Sequence, residues 1–143
     1  MSVVISHVLV PMDDSPLATR ALEHAVTSYP EASITVLHVV DYIEESYSAK
    51  LLVGEEQLRE RAEEKAERLF EDARELAAEH DAEIDTATTV GKPSREIVAY
   101  ADDHDADLVV IGSHSRPPLS RVLLGTVAES VVRRASTPVT VVR

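Results

Sequence analysis

The sequence predicts an α/β fold, a doubly wound sheet of five parallel strands with four helices, and three observations predict it. Short β-branched apolar runs alternate with amphipathic segments along the whole chain, the order that produces parallel strands joined by right-handed helical crossovers. The runs at 3–10 and 108–111 lack a period of two, as expected of strands covered on both faces. With 143 residues and 44% hydrophobic content, the chain suits one core and a single domain spanning 1–143.

The first strand is Val-Val-Ile-Ser-His-Val-Leu-Val at 3–10. After the turn at 11–15, Leu17, Ala21, Leu22, Ala25 and Val26 recur at helical spacing, with Ser15 as N-cap and Pro16 at the first helical position. Ile34 to Val40 forms the second strand, and Asp41 to Gly54 an irregular excursion. From Glu55 to about His80, a stripe of Leu58, Ala62, Ala66, Leu69, Phe70, Ala73, Leu76 and Ala77 runs among ten acids and five bases. That pattern is a long surface helix with a narrow buried face, its charges solvated and supported by pairs such as Glu64 with Arg68. Glu83 to Val90 reads as a half-exposed third strand, and Gly91-Lys92-Pro93-Ser94 opens a helix carrying Ile97, Val98 and Ala101. Leu108 to Ile111, bounded by Asp107 and Gly112, is a central strand; a loop, a helix from about Thr126 to Arg134 and a strand from Pro138 to Val142 complete the chain. Ligands of such sheets lie beyond the carboxyl ends of the strands, where strand order reverses. The loops at 11–15, 40–54 and 112–126 are therefore the place to look.

Composition narrows the chemistry. The formal net charge is −12, which repels nucleic acid and anionic membranes. The charge is uneven: residues 1–107 hold 25 acids against 9 bases, whereas 108–143 hold one acid, Glu129, against five arginines. A locally basic last quarter is what an anionic ligand needs to approach. Three lysines beside eleven arginines, with the acid excess, suggest a halophilic cell with high internal salt. The absence of cysteine removes disulfides, thiolate nucleophiles and cysteine metal sites. No apolar run approaches about 18 residues, and Met1 to His7 lacks a basic flank and a cleavage site, so the expected location is the cytoplasm.

The stretch richest in chemical information is Gly112-Ser-His-Ser115-Arg116-Pro-Pro-Leu-Ser-Arg121-Val-Leu-Leu-Gly125-Thr126. A glycine directly after a strand admits a ligand to the backbone, and Gly125-Thr126 at a helix start supplies free N–H groups, a hydroxyl and the positive end of the helix dipole. Arg116 and Arg121 add countercharge. Gly91-Lys92-Pro93-Ser94 superficially looks like a phosphate-binding Walker loop, but position 86 is Thr86 where that motif needs glycine, so a turn glycine and a helix-opening proline explain it. The six histidines show no zinc spacing, and no metal or catalytic set is assigned to them; His114 alone falls in the candidate loop. Of Asp13 and Asp14, the ligand role is expected of Asp13 and the turn role of Asp14.

These residues resemble the universal stress protein family, whose nucleotide-binding members carry Gly-x2-Gly-x9-Gly-Ser/Thr after the fourth strand. The similarity extends over Val-Pro-Met-Asp-Asp-Ser at 10–15, Leu-His-Val-Val at 37–40, Gly-x-Pro at 91–93, Asp-Leu-Val-Val-Ile-Gly-Ser-His at 107–114, Leu-Leu-Gly-Thr-Val-Ala-Glu at 123–129 and Thr-Pro-Val-Thr-Val-Val at 137–142. The resemblance implies strand order 3-2-1-4-5 in an adenine-nucleotide alpha-hydrolase-like fold. It further implies bound ATP, AMP or ADP with Mg2+: Pro11 and Val40 would wall the adenine, Asp13 would meet ribose or base, and Gly112, Gly125, Thr126 and Val127 would hold phosphate and ribose. The second glycine of the motif is here Ser115. In a left-handed conformation that costs about 1–2 kcal/mol, while its hydroxyl, like Arg116, offers a phosphate donor. Two functions therefore stand side by side: a nucleotide-dependent dimeric regulator of an unknown protein partner, or an adaptor dimer that binds no nucleotide. Enzymatic chemistry extends at most to slow ATP hydrolysis. Related proteins pair through the edge strand Thr137 to Val142, so a homodimer is expected.

Overall fold

The computed structural model describes residues 4–41, 54–113 and 125–143. In chain order the elements are β1 (His7–Pro11), α1 (Pro16–Ser28), β2 (Ser33–Val40), α2 (Glu55–Glu79), β3 (Asp85–Val90), α3 (Pro93–Asp103), β4 (Leu108–Gly112), α4 (Thr126–Arg134) and β5 (Val139–Val142). The strands form one parallel sheet in the order β3-β2-β1-β4-β5. Chain order reverses between β1 and β4, which makes the carboxyl ends of those neighbours the switch point of the fold.

Side-chain alternation divides the interior into two layers. Val8, Val10, Val36 and Val110 face α1 and α2, meeting Leu22, Val26, Leu69 and Phe70. Leu9, Leu37, Val109 and Ile111 face α3 and α4, meeting Ile97, Ala101, Ala128 and Val131. The lack of alternation in the first and fourth strands thus has the expected cause, since both of their faces are buried. The stripe of α2 is buried from Ala62 to Ala77, with Leu76 partly and Leu58 half exposed. An ion pair on that helix joins Arg74 to Glu67 at 3.5 Å, whereas no Glu64–Arg68 pair forms among the described residues. No helix among them is long and apolar enough to cross a membrane.

Strand ends follow pairing rather than hydrophobicity. β1 begins at His7, although the apolar run starts four residues earlier, because pairing with β2 begins at His7 and Ser33. The Asp107 carboxylate accepts the Ser6 and His7 amides, both at 2.9 Å, and Val4 is left in solvent. β3 starts at Asp85 and β5 at Val139 for the same reason, and both lie at sheet edges. Two helices end alike: His80-Asp81-Ala82 and His104-Asp105-Ala106 close α2 and α3 with aspartate at φ 57° and 51°. The alanine amides reach back to Ala77 and Ala101, so each triplet is a left-handed cap with aspartate where glycine is usual.

Candidate functional site

The site develops from how the chain leaves β1. Pro11 is buried at the end of that strand, and the Met12 amide donates to the Leu37 carbonyl at 2.9 Å, adding one more rung against β2. The Met12 carbonyl accepts from the buried His38 ring, Nδ1 at 3.1 Å. The chain then turns outward, leaving Asp13 and Asp14 exposed. Asp13 Oδ1 accepts the Ser15 amide at 2.9 Å, and Ser15 Oγ accepts the Ala18 amide at 3.3 Å. Ser15 and Pro16 start α1 as the sequence indicates. The turn role expected of Asp14 belongs instead to Asp13, because the path out of β1 places the earlier carboxylate against the cap amide. One Asp13 oxygen makes this bond.

The exit of β4 gives Gly112 a packing role as well. A Cβ on this residue would lie 2.6 Å from the Leu17 carbonyl carbon and oxygen and 3.0 Å from the Ala18 nitrogen. The glycine is therefore required by the first turn of α1 crossing β4, whatever else approaches the backbone there. The next residue, Ser113, is buried, and its amide donates to the Val142 carbonyl at 2.8 Å. His114, Ser115, Arg116 and Arg121 lie outside the described residues, as do Tyr42 and Tyr47 of the excursion after β2.

Past that loop, Gly125 caps α4 with no side-chain cap bond. The first intrahelical bond of α4 runs from Glu129 N to Gly125 O at 2.9 Å, so the Thr126, Val127 and Ala128 amides precede any intrahelical acceptor. Thr126 and Val127 are exposed and Gly125 is buried. Glu129, the one acid of the last quarter, pairs with Arg133 at 2.9 Å. That pairing directs its charge along the helix, away from the amide end. Val40 is buried at the end of β2, where its carbonyl accepts the Gly91 amide at 3.0 Å. Gly91 has φ 149° and turns the chain directly into α3, so it is a turn glycine, as its sequence context suggests.

Pro11, Val40 and Gly112 thus end three adjacent strands on the carboxyl edge of the sheet, with Asp13 just beyond. The crossover from β4 to β5 runs α4 against the strands and brings Gly125, Thr126 and Val127 to the same edge. Among the described residues this edge has helix-start amides with no side-chain cap, an exposed carboxylate and apolar walls, a combination suited to an anion attached to a flat apolar group.

A cleft of about 500 Å³ lies at the opposite edge, lined by His7, Thr35, Asp85, Tyr100 and His104. Its histidines serve the fold: His7 bridges Thr35 Oγ1 at 2.9 Å and the His104 carbonyl at 3.2 Å, and His104 stacks on Tyr100 at 3.7 Å. The described residues contain no cluster of three metal-ligating side chains. Sequence reasoning missed His38 as a loop tether and the two His-Asp-Ala caps; only the repetition of the triplet was visible as a signal.

A family model described as the universal stress protein family matches residues 5–143. Universal stress protein MJ0577 of Methanocaldococcus jannaschii is 30% identical, the alignment covering 100% of this chain and 98% of that protein. A solved structure of MJ0577 superposes with a TM-score of 0.81 over 98% of this chain and 96% of the other at 30% identity. Two more distant structures share the fold. A universal stress protein in complex with cAMP has TM-score 0.74, 22% identity and 99% of both chains covered. An Arabidopsis thaliana member with AMP bound has TM-score 0.68, 20% identity and 96% and 90% covered.

Proposed function

The chain belongs to the universal stress protein family, and from that premise we propose that it is an adenine-nucleotide-binding stress or signalling protein acting as a homodimer. The observation that carries this reading is the uncapped amide end of α4, with Glu129 held away by Arg133, beyond the carboxyl edge of the sheet. A phosphate is the natural occupant of such an end. Pro11 and Val40 wall the adenine, the exposed Asp13 carboxylate takes a ribose or base donor, and Gly125, Thr126 and Val127 hold phosphate. Ser115 and Arg116 complete the phosphate contacts. Mg2+ bound together with the nucleotide would neutralise charge at the phosphates. Relatives with AMP and cAMP bound support the ligand class.

Bound nucleotide would alter the loops after β2 and β4 and so change contacts with a protein partner. The half-exposed edge strand β5 supports pairing of two chains. The adaptor reading has one observation in its favour, that Gly112 is explained by α1 without any ligand.

Calorimetric titration of ATP with Mg2+ into nucleotide-free protein tests the proposal. Binding at micromolar to millimolar ligand, weakened by Asp13→Ala and by Gly125→Val, is the expected result. No heat at millimolar ATP, together with no nucleotide released from purified protein on denaturation, overturns it in favour of the adaptor. Light scattering at the mass of one 15.6 kDa chain overturns the dimer.

A further inference from the structure

We infer that His38 is a positioning residue that sets the turn on which Asp13 meets the nucleotide; this rests on the nucleotide reading for its functional part. His38 lies inside β2 among Val36, Leu37, Val39 and Val40, only 6% exposed. An apolar side chain would satisfy packing at such a position, and burying an imidazole there is costly unless it makes a hydrogen bond. The bond it makes is to the Met12 carbonyl, which can only accept, so the ring proton sits on Nδ1.

That carbonyl is where the strand ladder runs out. Pairing of β1 with β2 ends at Pro11 and Leu37, and the Met12 amide takes the Leu37 carbonyl. The next acceptor, Met12 O, belongs to a residue 8% exposed and receives its donor from His38. Consecutive β2 residues, one through backbone and one through side chain, thereby fix both polar groups of Met12. The orientation of the following peptide decides where Asp13 points, and Asp13 in turn holds the Ser15 amide. With the ring bond gone, the 12–13 peptide is free to rotate, and the cost falls on the Asp13 carboxylate rather than on the core.

The test compares His38→Leu with His38→Asn, because asparagine presents an N–H where the ring carries Nδ1. Each protein is titrated with ATP and Mg2+, and amide exchange at Ser15 is measured without ligand, using Val110 as a core reference. His38→Leu is expected to weaken ATP about tenfold and to speed Ser15 exchange about tenfold relative to Val110. His38→Asn is expected to return both to within about threefold of wild type. Unchanged Ser15 exchange and ATP affinity in His38→Leu overturn the inference, as does equal damage in the two variants. If the wild type itself takes no ATP, the nucleotide reading fails, while the Ser15 exchange ratio still decides the role of His38.

Discussion

Replacing Gly112 with alanine separates two explanations of one residue. The added Cβ would sit 2.6 Å from the backbone of Leu17, where ordinary contacts begin at 3.4 Å, so β4 and α1 must part by about 0.8 Å. The obstructing atoms are backbone in the first turn of α1, directly behind the Ser15 cap and Pro16, and no rotamer change relieves them. Overpacking of this kind costs about 2–3 kcal/mol. For a domain of this size that corresponds to a fall in Tm of roughly 6–12 °C. Thermal unfolding by circular dichroism and urea titration at unchanged m value measure it. If Gly112→Ala melts within about 2 °C of wild type while ATP binding is lost, the glycine serves the ligand and the packing argument is wrong.

Other perturbations report on the remaining links. Asp107→Ala removes the acceptor for the Ser6 and His7 amides and should cost about 2 kcal/mol in urea unfolding; a loss under 0.5 kcal/mol would deny the clamp. Asp105→Gly relieves a non-glycine residue at φ 51° and should add about 0.5–1 kcal/mol, read as a higher urea midpoint. Ser15→Ala removes the N-cap bond to Ala18 and should cost about 1 kcal/mol. With a formal charge of −12, the fold should melt higher in molar KCl than in dilute buffer, because salt screens self-repulsion; the reverse order would contradict the high-salt expectation.

Much of the fold was legible because its signals are local. The Ser15-Pro16 start of α1 follows from what a helix end needs, and the uninterrupted apolar runs of β1 and β4 follow from burial on both faces. Asp81 and Asp105 were not legible, since aspartate in place of glycine hides a left-handed cap. Nor was His38, because a ring in a strand looks the same from sequence whether it fills space or tethers a neighbouring loop. That Pro11, Val40 and Gly112 end strands was legible in the apolar runs, but which neighbours they and Asp13 would meet was not.

By itself the sequence determined the kind and order of the described elements and the family to which the chain belongs, since periodicity, caps and motif spacing are written along the chain. Only the tertiary structure decided that Gly112 makes room for α1, that Asp13 rather than Asp14 closes the turn, and that His38 holds Met12. Gly112 with Leu17 and His38 with Met12 meet across elements far apart in sequence, and the Asp13 turn depends on the direction in which β1 releases the chain. Such contacts exist only once the sheet has set which strand ends lie side by side.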